Sequence, residues 1–138
     1  MKKTIKILAV AMVAIMLCLT LASCGAPNAD PDKALESLKE NGVNWAGKDD
    51  KIAPGLMKMA GIDGVDCVVS GTGKIEDEYA HITIIYFEEA EDANEEWEDV
   101  QKYADDEKDD EAKDSEWVFK KSGKMIYYGT KNAVAAAK

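Results

Sequence analysis

One thiol and one imidazole, Cys67 and His81, are the residue types in this chain best suited to covalent or acid–base chemistry. A thiolate nucleophile needs a base within hydrogen-bond reach. Cys67 falls in residues 65–70, which alternate loosely and place it beside Val65 and Val69. His81 falls in residues 78–88, on the side opposite an apolar row of Ala80, Ile82, Ile84 and Tyr86. If both apolar rows face a core, the two side chains point to opposite sides of the sheet. Cys67 then reads as a small buried hydrophobe and His81 as a surface strand residue. No catalytic residue is assigned, and the chain is expected not to be an enzyme.

The remaining constellations are weaker. Residues 105–116 carry eight carboxylates, with Lys108 and Lys113 among them. Calcium takes six to eight oxygen ligands, but an EF-hand loop also needs a central glycine, and this run has none, so a solvated helix end or loop is the expectation. One His and one thiol make no recognisable transition-metal set, and neither a metal nor a cofactor is expected. Gly71, Thr72, Gly73 and Lys74 lack the spacing of a phosphate-binding loop and read as a hairpin turn. Trp45, Trp97 and Trp117 could form a sugar platform. Trp97 lies on a helical stripe and Trp117 beside Phe119 on a strand, so both are expected in the core, leaving Trp45 as the candidate exposed aromatic.

The first 24 residues carry the strongest signal. Lys2, Lys3 and Lys6 precede an apolar run from Ile7 to Ala22, which ends in Leu21, Ala22, Ser23 and Cys24, followed by Gly25. This segment resembles a bacterial lipoprotein signal peptide. The resemblance implies cleavage before Cys24 and acylation of its thiol, leaving residues 24–138 held at the extracytoplasmic face of a cell membrane by lipid. Two acyl chains on one residue hold essentially permanently, whereas one binds only marginally. The expected division is a signal peptide at 1–23, a tether at 24–30 and one domain at 31–138.

Three of the chain's 17 basic residues lie in the signal and none of its 27 acidic ones, so removing it takes the net charge from −10 to −13. All 17 are lysines; there is no arginine. That balance argues against nucleic acid and against electrostatic docking on anionic lipid. With Cys18 removed and Cys24 acylated, Cys67 has no disulfide partner, and packing alone must hold the domain.

Periodicity supplies the elements. Asp30 before Pro31 is an N-cap with proline at the first helical position; Ala34, Leu35 and Leu38 form a stripe that Asn41 and Gly42 end. Residues 43–51 show no pattern, and residues 55–60 form a short helical candidate. Residues 78–88 are the clearest strand. Ala93, Trp97, Val100 and Ala104 recur as one face of a helix. Residues 117–119 and 125–128 read as a hairpin, and Thr130 as the cap of a last helix. The expected fold is α+β: about four mostly antiparallel strands with helices packed on one face, a two-layer sandwich.

Such a sheet leaves one face bare. Thr83, Ile85 and Phe87, with Tyr127 on the neighbouring strand, are therefore the expected interaction face, since contiguous exposed apolar patches mark docking sites. A loop of residues 43–53 folded over this face is the alternative. The functional expectation is a membrane-anchored, non-catalytic binding module, or else an accessory subunit with an obligate envelope-protein partner. A small enzyme or metal sensor using Cys67, His81 or the acidic run ranks below both.

Overall fold

A computed structural model describes residues 25–107 and 116–138. Their order is α1 (Pro31–Glu40), β1 (Trp45–Asp49), α2 (Ile52–Met59), β2 (Val65–Ile75), β3 (Glu78–Phe87), α3 (Ala90–Glu95), α4 (Trp97–Glu107), β4 (Trp117–Ser122), β5 (Met125–Thr130) and α5 (Lys131–Ala136). The five strands form one sheet in the order β1-β2-β3-β5-β4, and every neighbouring pair is antiparallel. The α+β class is as the sequence indicates. β1 is the strand that the sequence hides: a five-residue edge piece with no apolar alternation, paired from Trp45 opposite Thr72 to Asp49 opposite Val68.

Helices cover both faces of the sheet, in three layers where the sequence suggested two. On one face α1 and α5 pack Ala34, Leu38, Ala133, Val134 and Ala137 against Val69, Ala80, Ile82 and Ile84. On the other, α2, α3 and α4 pack Met57, Ala93, Val100 and Ala104 against Val68, Ile85, Phe87 and Ile126. Strand β3 explains why. Its alternation is apolar on both sides, and residues 82–87 are all buried, so a single helical layer would have left half of them in water.

Local chemistry fixes the ends. The Asp30 carboxylate accepts from the Asp32 and Lys33 amides and starts α1, with Pro31 following it. Thr130 occupies the N-cap position of α5, but its hydroxyl accepts from the His81 amide, while Asn132 Oδ1 takes the Ala133 amide. The β2–β3 turn is not at residues 71–74. β2 runs on to Ile75, and the reversal is made by Glu76 and Asp77, at φ 51° and 64°. Gly71 serves close approach instead: a Cβ there would lie 2.8 Å from Val43 Cγ1 and 2.9 Å from Ala46 Cβ.

Residues 26–28, expected to be a free tether, are part of the fold. Ala26 is 5% exposed in the α1/α5 core. The Asn28 amide donates to the Ala137 carbonyl at 2.8 Å, and the Tyr86 hydroxyl donates to the Asn28 carbonyl at 2.7 Å. Composition alone marked this stretch as a linker. It is ordered because an alanine and a proline are small enough to lie over the closely packed α5 end.

Candidate functional site

Cys67 and His81 are held apart. Cys67 pairs with Tyr86 and faces the α1/α5 side; His81 pairs with Thr72 on the other face, five residues further along β2, or about 16 Å of strand. Burial, reinforced by the neighbouring Asp66 carboxylate, pushes the Cys67 thiol up to about 11, so it is protonated at neutral pH. The His81 ring stacks on Trp117, with ring centroids 6.0 Å apart and planes 9° apart.

The interaction face expected at Thr83, Ile85, Phe87 and Tyr127 does not exist as a surface. These residues are 4%, 0%, 2% and 3% exposed. Helices α2, α3 and α4 cover this face; of the 43–53 stretch considered above, Ala53 at the start of α2 packs there, while Val43 lies in the opposite core. Tyr127 faces the opposite way: it pairs with Ile84, and Thr83 is opposite Tyr128. A one-residue error in register moves a side chain to the other face. Trp97 and Trp117 are half-buried around Phe119 and Tyr128, with Trp97 and Phe119 rings 4.5 Å apart. Trp45 is 83% exposed, so the three tryptophans make no common platform.

Most of the acidic run, residues 108–115, lies outside the described residues, as does Cys24. Among the described residues no group of three or more His, Cys, Asp or Glu side chains is placed to hold a metal ion, and no helix is long and apolar enough to cross a membrane.

One hollow among the described residues is marked by no sequence pattern. It measures about 500 Å³ and lies at the end of the sheet where the chain enters. Tyr86, Phe87 and Met125 line it from the sheet, Pro31 from the entering segment, and Asp66, Glu88 and Lys124 contribute charges of both signs. The Ser122–Gly123–Lys124 turn borders it because β4 and β5 reverse there, and Gly123 takes φ 57° to make the reversal. A shallower hollow of about 290 Å³ continues along Ala26, Pro27 and Asn28 to Lys138. An apolar floor with a mixed-charge rim can hold an amphipathic group. Only the three-dimensional return of residues 26–31 across the sheet end creates this groove; no local sequence pattern encodes it.

Compared with known protein families, with curated proteins and with solved structures, the chain matches none.

Proposed function

We propose that this protein is a lipid-anchored, extracytoplasmic lipoprotein whose domain is a non-catalytic binding module, with the groove at the chain-entry end as its binding surface. The observation that carries the reading is the sequence of events along the six residues 21–26. A cationic, apolar leader ends in Leu21, Ala22, Ser23 and Cys24, and by Ala26 the chain is already docked in the folded domain. The protonated, buried Cys67, set on the face opposite His81, supports the non-catalytic part.

The test is the intact mass of the protein extracted from membranes. Residues 24–138 plus two or three acyl chains is the expected result, and Cys24→Ala leaves the precursor uncleaved. A mass equal to residues 1–138 without lipid refutes the anchoring.

A further inference from the structure

Helix α2 is amphipathic the wrong way round for a helix that has only a core to serve. Met57 points inward at 3% exposure, while Ile52, Leu56 and Met59, at i, i+4 and i+7, form an outward stripe with 70%, 56% and 86% exposure. These three and Trp45 are the exposed large hydrophobics among the described residues. Trp45 lies four residues up β1 from Asp49, about 13 Å away along the strand, and is not part of the stripe.

Three observations say what faces it. The first is position. The Asp49 carboxylate accepts from the Lys51, Ile52 and Ala53 amides, which pins the start of α2 to the end of β1. The segment after α2 returns to that same end, where the Gly64 carbonyl accepts from the Glu88 amide. Asp49, Gly64, Phe87 and Met125 all mark one end of the sheet, and it is the end where the Tyr86 hydroxyl holds Asn28. The second is reach. Gly25 alone separates Cys24 from the buried Ala26, so the two Cα atoms are at most about 7 Å apart and the domain cannot stand off from whatever holds Cys24. The third is charge. In a chain of net charge −10, α2 carries Lys58 and no carboxylate.

We propose that Ile52, Leu56 and Met59 seat in the interface of the same bilayer that holds the acylated Cys24, giving the domain a second contact with a lipid surface. This rests on the anchoring reading above. The anchor enters beside β4 and β5 on the α1/α5 face, and α2 lies over β1 and β2 on the other face. Three strand spacings, about 14 Å, separate the two contacts across the sheet, and they lie on opposite faces of it. Two points that far apart fix the tilt of the domain, which a single lipid anchor leaves free, and they turn the groove end toward the headgroups.

The full chain, processed and lipidated in cells and reconstituted into vesicles of phosphatidylcholine and phosphatidylglycerol, provides the test. An environment-sensitive fluorophore is attached at Met59→Cys or, at the far end of the sheet, at Asp77→Cys, both in a Cys67→Ala background. The expected result is a blue shift at position 59 and quenching by spin-labelled lipid about threefold stronger than at position 77, as for an apolar face seated roughly 5–10 Å into the headgroup boundary. Equal, water-like signals at both positions on vesicle-bound protein overturn the second contact and leave the anchor standing. Cross-linking of position 59 to a second copy without lipid quenching also overturns it and makes the stripe a dimer face. Protein that stays off the vesicles with an unmodified mass overturns both readings together.

Discussion

The two faces of the sheet both bury large side chains, among them Tyr86 and Tyr127 on one and Phe87 and Tyr128 on the other, and differ in how many small ones they bury. Against α1 and α5 the buried set includes six alanines: Ala26, Ala34, Ala80, Ala133, Ala136 and Ala137. Against α2, α3 and α4 the buried alanines are two, Ala93 and Ala104, and Trp97, Trp117 and Phe119 pack around Phe87, Tyr128, Ile126 and Met57. Small side chains let a helix lie close to a sheet and leave no room for additions. Large ones fill a wider gap and leave a hole when removed. The alanine contacts of the first face should therefore be sensitive to overfilling, and the aromatic contacts of the second to truncation.

The largest effect is expected from truncation on the aromatic side. Phe87→Ala should cost about 3–5 kcal/mol in denaturant unfolding, since Phe87 is 2% exposed. A change within about 0.5 kcal/mol would mean that the side chain is a surface one and the covering helices are misplaced. On the alanine side the informative change is an addition. Ala133→Leu should cost about 1–3 kcal/mol through overpacking against β3 and β5. If Ala133→Leu is neutral, the close packing described for that face is wrong.

How much of this was readable beforehand differs by element. β3 was legible because ten residues alternate without interruption, and its doubly apolar pattern held the clue to two helical layers. α1 was legible through Asp30 and Pro31. The turn at Glu76 and Asp77 was not, because neither is the glycine or asparagine that positive φ favours, while Gly71 and Gly73 looked like a turn and instead make room for the crossing 42–46 segment. The candidate groove and the exposed stripe were beyond the sequence for a different reason. Leu56 and Met59 are apolar residues of a short helix, and only the finished packing decides which side of that helix is inside.

Smaller effects sharpen the contrast further. Asp49 and Glu96, both serving the α2–α4 layer, shift in opposite directions. Amide hydrogen bonds from Lys51 and Ile52 hold Asp49 below the usual carboxylate range, so its contribution is complete above that range and disappears as pH falls through the depressed value. Burial raises Glu96, so its ionisation weakens the fold as pH rises through the raised value. Asp49→Asn should accordingly flatten the acid limb of the stability profile, and Glu96→Gln the limb above it; an unchanged profile in either variant removes that residue from the account. Lys121 lies 5.2 Å from the centre of the Trp97 ring, and Lys121→Ala should cost no more than about 0.5–1 kcal/mol. The smallest change in stability belongs to Met59→Ser, expected within about 0.5 kcal/mol because the side chain touches little of its own domain. A large loss there would show that the stripe is covered in the free protein.

The hydrogen bond from the Asn28 amide to the Ala137 carbonyl brings the beginning and end of the domain side by side, and Lys138 borders the same hollow as Ala26. A reporter or affinity tag fused after Lys138 would thus leave from the rim of the crevice beside the entering chain, close to anything that binds there. The neutral place to carry cargo is the Glu76–Asp77 reversal, at the far tip of a strand pair that extends about 33 Å from Val65 to Ile75. A peptide inserted at that tip can be bulky without disturbing either terminus.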